Sequence, residues 1–257
     1  MITSSKNPQV KNLIHLSKKA KARKDQGLFV VEGKKMFSEA PRERLHQIYV
    51  SESFIKEPEN EGMLLGMKYE VLSDSLFKAV SDTQTPQGIL ALVRMPGYTL
   101  SQILKEEKAH LLIAEGIQDP GNLGTMFRTG EGAGITGVIL DKTTVDVYNP
   151  KTIRSTMGSI YRVPFVVSEN LSETLKELKA AGVRLYAAHL KGSLSYDEPD
   201  YKKPAGFLVG NEGNGLSDEI AGLADTYIRI PMEGRVESLN AAIAAALLMY
   251  EVKRQRR

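Results

Sequence analysis

The 257-residue chain contains no cysteine, no tryptophan and only four histidines. Without cysteine there is no disulfide, no thiolate metal site and no catalysis through a thiol. The histidines, His15, His46, His110 and His189, have no ligand-like spacing, so no metal site is expected. No run of about 18 apolar residues is present, which leaves no candidate membrane span. The opening Met1-Ile-Thr-Ser-Ser-Lys6 lacks the apolar core of a signal peptide, and the expected compartment is the cytoplasm. What is there is ordinary for a soluble globular chain: 42% hydrophobic and 25% charged residues, at a length that holds one large domain or two smaller ones.

The net charge of +3 hides an asymmetry. Residues 1–50 hold eleven Lys/Arg against four Asp/Glu, an excess of seven, so the remaining residues carry a net −4. The excess peaks in Lys18, Lys19, Lys21, Arg23 and Lys24, and a second basic cluster, Lys253-Arg-Gln-Arg-Arg257, closes the chain. Clusters of this density suit nucleic-acid phosphates, the plain alternative being a solvated helix face.

Residues 5–24 read as one amphipathic helix with Val10, Leu13, Ile14 and Ser17 inward. Strands follow at 28–32, 47–50, 69–72 and 89–94, with helices at 34–40 and from Ser73 to Val80, which makes a small α/β domain over residues 1–95. Residues 96–107 read as a linker containing a short helical segment. From 108 to 257 the alternation is more regular. Strands are expected at 111–115, 137–140, 164–167, 185–188, 206–209 and 226–230, with helices at 122–133, 150–159, 171–181 and 217–223. Short apolar strands separated by helices imply a parallel sheet covered on both faces. A last helix is expected to start near Ser238, its hydroxyl serving as N-cap. Leu239, Ile243, Leu247 and Tyr250 form one apolar stripe on it, and Ala241, Ala244, Ala245 and Leu248 another. A helix apolar all round is buried on two sides.

Three polar loops follow three of those strands. The first is Gln118-Asp-Pro-Gly-Asn-Leu-Gly-Thr-Met-Phe-Arg-Thr-Gly130, with Asn122 at a helix start and Arg128 two turns on. The second is Gly210-Asn-Glu-Gly-Asn-Gly-Leu-Ser217, which has neither the Rossmann fingerprint nor a P-loop. The third is Ile230-Pro-Met-Glu-Gly-Arg-Val-Glu-Ser-Leu-Asn240. Asn122 as a simple cap, and the glycine loop as a simple turn, are the plain readings of the first two. In a parallel α/β sheet, however, loops after strand C-termini gather on one edge, where ligands bind. A set of Asn, Arg, Glu and Ser without Cys or His favours gripping a polar group and stabilising charge.

Together the three loops resemble the three signature motifs of the SpoU (TrmH) family of RNA ribose 2′-O-methyltransferases in the SPOUT superfamily. Phe29-Val-Val-Glu-Gly33 and Thr85-Pro-Gln-Gly88 are similar to that family's substrate-binding domain. The resemblance implies a C-terminal parallel-sheet SPOUT domain with a deep trefoil knot, preceded by an RNA-binding domain with a ribosomal-protein-like fold. It implies S-adenosylmethionine as cofactor, held at Gly210, Asn211, Ile230, Met232 and Leu239. It implies a catalytic set of Asn122, Arg128, Glu212, Ser238 and Asn240, a homodimer built on the last helix, and RNA as partner, for which the charge clustering offers Lys18, Lys19, Lys21, Arg23 and Lys24. Ribosomal RNA is the expected substrate, with transfer RNA, or a non-catalytic RNA-binding protein of the same fold, as alternatives. A Rossmann oxidoreductase would need the missing glycine fingerprint.

Overall fold

The computed structural model describes residues 1–257 as two units, one formed by Met1–Pro96 with Asp146–Tyr161, the other by Gly97–Val145 with Arg162–Arg257. Two points differ from the domain limits expected from sequence. Residues 96–107 are not a free linker, because α6 (Leu100–Ile103) seats Ile103, 1% exposed, in the core of the second unit. Asp146–Tyr161, expected in the second domain, packs into the first: Tyr161 donates through its hydroxyl to the Met36 carbonyl, and the Tyr148 ring lies 4.8 Å from that of Phe29.

In the first unit, β1 (Leu28–Glu32), β4 (Ile89–Arg94), β2 (Leu45–Ser51) and β3 (Glu70–Leu72) form a sheet in the order β1-β4-β2-β3, with only β2 and β3 parallel. The expected helix over residues 5–24 is two helices, α1 (Pro8–Lys18) and α2 (Ala20–Gln26), separated at Lys19, whose backbone is extended at φ −123 and ψ 113. Arg23 explains the break. Its Nη1 donates to the Leu16 carbonyl at 2.6 Å and to that of Ser17 at 3.1 Å, satisfying acceptors that a continued helix would have paired internally. The same guanidinium pairs with Asp146, and Arg23 is 4% exposed. Arg23 is therefore a structural residue and is withdrawn from the RNA-contacting set. Lys18, Lys19, Lys21 and Lys24 all remain exposed.

The second unit is a seven-stranded, wholly parallel sheet in the order β7-β6-β5-β10-β8-β11-β9. Its strands are β5 (His110–Ala114), β6 (Gly137–Asp141), β7 (Phe165–Ser168), β8 (Arg184–Ala188), β9 (Leu194–Ser195), β10 (Ala205–Val209) and β11 (Thr226–Arg229). Every residue of β5, β6 and β10 is buried, as a sheet covered on both faces requires. Alternation sends Leu111 and Ile113 to the face packed by α9 (Leu171–Ala180) and α10 (Asp218–Ala221). On the opposite face lie α7 (Pro120–Ala133) and α11 (Ala241–Gln255), which contact each other closely. Gly130 permits this. A Cβ there would sit 2.3 Å from Ile135 Cδ1 and 3.4 Å from the Met249 sulfur.

The C-terminal basic cluster is largely structural. Arg256 donates to the carbonyls of Lys108, Ala109, Tyr201 and Lys203, and Arg254 pairs with the nearly buried Glu251. On α11 the two apolar stripes diverge. Ala245, Leu248, Met249 and Val252 are buried, whereas Ile243, Leu247 and Tyr250 are 51%, 36% and 45% exposed.

His110, 2% exposed on β5, has no partner at Nε2, and burial, reinforced by nearby Arg256, pushes its pKa from 6.5 to about 4. Above pH 6.5 the ring is neutral in both folded and unfolded chains. Between 6.5 and about 4 only the unfolded chain takes up the proton, so stability falls as pH falls through that window. We expect wild type to lose about 2 kcal/mol more than His110→Gln between pH 7.5 and 4.5 in urea unfolding. Equal losses would show that another group drives the acid sensitivity.

Candidate functional site

The loops after β5, β10 and β11 meet at the C-terminal edge of the parallel sheet, and side chains stitch them together. Helix α7 starts earlier than its sequence suggests. Asp119 is the N-cap, accepting from the Asn122 amide at 2.8 Å, and Pro120 takes the first helical position, where a missing N–H costs nothing. Asn122 is thus inside the first turn and its side chain is free of capping. Its Nδ2 donates to Glu212 at 3.0 Å, and its Oδ1 accepts from Asn240 Nδ2 at 2.9 Å. Glu212 also accepts from the amides of Gln118 at 3.0 Å and Asp119 at 3.1 Å. One chain, Glu212 to Asn122 to Asn240, therefore links residues of all three loops. Burial alone would raise the Glu212 pKa, but the hydrogen bonds from Asn122 and the backbone amides hold it below the usual carboxylate range. It stays ionised at neutral pH.

Asn240 is also the N-cap of α11, its Oδ1 accepting from Ala242 at 2.9 Å and Ile243 at 3.3 Å. This corrects the expected cap at Ser238, which lies two residues upstream, exposed and outside the helix. An amide side chain suits the position because one end accepts from the helix while the other donates to Asn122. The second loop is held independently. Asn211 Nδ2 donates to the Gly116 carbonyl at 2.7 Å, and Ser217 donates through its amide and hydroxyl to Glu115 at 2.8 and 2.6 Å.

A cleft of about 890 Å³ opens beside these loops. All five residues expected at a cofactor, Gly210, Asn211, Ile230, Met232 and Leu239, line it, as do Glu212 and Ser238. Asn122 and Asn240 stand behind Glu212 as its support. Arg128 is not drawn in. It is exposed on α7, and its side chain makes no hydrogen bond or ion pair.

Two contributors were missed from sequence. Ala188 at the end of β8 and residues 189–191 after it form a further wall of the cleft, and Gly192 lets this loop lie on β11, since a Cβ would sit 2.6 Å from the Ile228 carbonyl carbon. The signal was available, since the loop follows a strand on the same sheet edge, but it carries no motif. The other is Asp141, 8% exposed, which accepts from the amides of Gly116 at 2.8 Å, Thr143 at 2.9 Å and Thr144 at 3.0 Å. It pins the start of the first loop to the end of β6.

The profile of the SpoU rRNA methylase family matches residues 109–250, and that of an MRM3-like substrate binding domain matches residues 7–91. The chain is 37% identical over 254 residues, 98% of each chain, to the 23S rRNA (guanosine(2553)-2′-O)-methyltransferase RlmP of Bacillus subtilis. Its structure is similar to that of the SpoU methyltransferase AviRb of Streptomyces viridochromogenes in complex with S-adenosylmethionine (TM-score 0.89, 27% identity, 98% of both chains). It is also similar to a S-adenosylmethionine-bound rRNA methyltransferase of Sinorhizobium meliloti (TM-score 0.85, 31% identity, 98% of this chain and 97% of that one).

Gly210 gives a direct check on the second loop. A Cβ there would meet the Gly215 carbonyl carbon and the Leu216 nitrogen at 2.1 Å, whereas one on Gly213 would come no nearer than 3.4 Å to Asn211 Oδ1. Gly210→Ala should cost about 2 kcal/mol or more and Gly213→Ala less than about 1 kcal/mol, read from urea midpoints. Equal effects would mean that the tight Asn211–Gly215 turn does not constrain position 210.

Proposed function

The chain belongs to the SpoU rRNA methylase family, and we propose that it transfers a methyl group from S-adenosylmethionine to a ribose 2′-oxygen of ribosomal RNA. The observation that carries this reading is the Glu212–Asn122–Asn240 chain, which joins three loops far apart in sequence beside one large cleft. The residues present fit the cofactor. Ile230, Leu239 and Ala244 offer apolar surface for an adenine, and Lys191 and Arg229 offer charge for a carboxylate. When bound, S-adenosylmethionine supplies an electrophilic sulfonium methyl.

A 2′-hydroxyl is a weak nucleophile while protonated, so the site has to favour its alkoxide. Arg128 is the free cation on the helix that Glu212 and Asn122 anchor. A guanidinium keeps its proton, so Arg128 acts by stabilising developing negative charge and by gripping the phosphate beside the target ribose with two parallel hydrogen bonds. The proton leaves through that phosphate or through water. Both ends of the Asn122 amide are engaged, which makes it a positioning residue for α7 and for Asn240. Glu212 holds the second loop against the first. Ser238, on the cleft wall with no hydrogen bond of its own, presents a free hydroxyl to the ligand.

Lys18, Lys19, Lys21 and Lys24 form the proposed phosphate footprint of the first unit, now without Arg23. The exposed Ile243, Leu247 and Tyr250 stripe supports a homodimer through α11, and a polar, exposed lysine face would be the wrong surface for that purpose. The strand order supports a trefoil knot in the second unit: β10 lies between β5 and β8, and after β11 the chain returns as α11 against β10 and β5. No helix is long and apolar enough to cross a membrane, and we place the protein in the cytoplasm.

In a transfer assay with ribosomal RNA and labelled S-adenosylmethionine, wild type should methylate a ribose, and Arg128→Lys should lower kcat by at least about 100-fold with cofactor affinity unchanged. Near-wild-type turnover of Arg128→Lys would sink the two-pronged grip, and no transfer by wild type would sink the reading as a whole. Replacing Lys18, Lys19 and Lys21 by Ala should make the logarithm of RNA affinity less steep against that of salt, by up to roughly 2 to 3 in slope. An unchanged slope removes this cluster from the footprint.

A further inference from the structure

Gly33 and Gly88, which end the two sequence patterns noted in the first domain, run at φ +97 and +76. A Cβ on Gly33 would stand 2.8 Å from Gln87 Oε1, and one on Gly88 would stand 2.8 Å from Ser51 Oγ and 2.9 Å from Phe54 Cβ. Both glycines let loops close on a hollow of about 340 Å³, lined by Lys34, Ser53, Phe54, Asp74, Lys78 and Gln87 among others. That volume lies in the range of small-ligand sites. The catalytic reading makes no use of it.

The walls are fixed before any ligand arrives. The Lys34 amide donates to Gln87 Oε1 at 2.8 Å, and the Ser51 amide donates to the Gly88 carbonyl at 2.8 Å. Asp74 Oδ1 accepts from the Ser53 amide at 2.9 Å and its hydroxyl at 2.8 Å. Lys34 lies over the Phe54 ring, 5.7 Å from its centroid, and pairs with Glu59 at 2.9 Å. The Gln87 Nε2 amide and the Lys78 ammonium have no partner. Fixed acceptors and idle donors therefore face one space above a floor containing Phe54 and Phe77, each 2% exposed.

This lining discriminates between ligand chemistries. A phosphate is disfavoured, because Glu57 and Asp74 set two carboxylates against Lys34 and Lys78 around the same hollow. An apolar ligand would bury the Lys78 ammonium without a partner and offer nothing to the Gln87 amide. A nucleobase has a flat apolar face and an edge that both donates and accepts. Guanine sets two adjacent N–H donors, suited to a carboxylate, beside a carbonyl suited to an amide or ammonium donor. Sequence-specific RNA readers take up unpaired bases in this manner. We propose that this hollow receives an unpaired guanine of the RNA substrate, with Asp74 accepting from its N–H edge and Gln87 and Lys78 donating to its carbonyl. The first unit then reads one base as well as gripping phosphates. The inference rests on RNA being the substrate.

The test is titration of GMP, AMP, CMP, UMP and inorganic phosphate, each separately, into full-length ¹⁵N-labelled protein. The backbone amides of Lys34, Phe54, Asp74 and Gln87 are followed. GMP should shift them most, and phosphate should leave them in place. In the transfer assay, Lys78→Ala and Gln87→Ala should each raise KM for RNA roughly tenfold, with KM for S-adenosylmethionine unchanged in both and the thermal midpoint unchanged in Lys78→Ala. Because Gln87 also braces Lys34, the exposed Lys78 provides the variant that does not disturb the fold. Shifts from phosphate as large as those from GMP would make this an anion site and overturn the proposal. So would the absence of nucleotide shifts together with an unchanged RNA KM. If wild type fails to methylate RNA, it is the proposed function that fails, and the GMP titration still decides the hollow.

Discussion

The Glu212 carboxylate accepts from two main-chain amides and from Asn122, whose other end accepts from Asn240. Each of these bonds reaches between loops that are separated by about a hundred residues. Local bonds, such as those of the Asn211–Gly215 turn and of the first turn of α7, shape the first two loops singly, and the bonds through Glu212 and Asn122 tie the three together. Hydrogen bonds to an ionised acceptor are stronger than neutral ones, and leaving such an acceptor unpaired costs more still. The geometry of the cleft therefore depends on a carboxylate that remains charged, and its lowered pKa keeps it so at neutral pH.

The same device recurs where the chain would otherwise leave main-chain groups unsatisfied. Asp141 collects three backbone amides at the end of β6, and Arg23 and Arg256 each collect carbonyls at places where helices or strands stop. Polar side chains here serve as terminators of secondary structure, and the glycines stand where two segments must touch. Gly130 brings α7 against α11, Gly192 brings the loop after β8 against β11, and Gly210 closes the turn of the second loop. The site is thus rigid on its protein side, while Arg128 and the loop of residues 231–238 stay open to solvent. That division suits a reaction in which a fixed cleft meets a large, polar substrate.

Most strands and helices were legible because their apolar period and flanking turn residues are local properties. The three loops were legible as motifs, and the strand C-termini told which edge they share. Three kinds of feature were not legible. Arg23 lies in a lysine-rich run and looks like its neighbours, but its partners Leu16, Ser17 and Asp146 come together only in the folded chain. The caps at Asp119 and Asn240 were misplaced because Asn122 and Ser238 are equally good capping residues by type, and tertiary bonds to Glu212 and Asn122 decide between them. The docking of Asp146–Tyr161 into the first unit depends on contacts to Phe29 and Met36, more than a hundred residues away, which no local pattern announces.

The central claim is that the three loops act as one site through the Asn122 amide. A double-mutant cycle tests it most directly, with Glu212→Gln and Asn240→Ser made singly and together and S-adenosylmethionine affinity measured by calorimetry. The serine retains a helix cap while removing the reach to Asn122. The two residues do not touch, so coupling between them has to pass through Asn122. The double variant should lose less affinity than the two single losses combined, by about 1 kcal/mol. Losses that add to within about 0.5 kcal/mol would mean that the loops form the cleft independently, and would contradict the account.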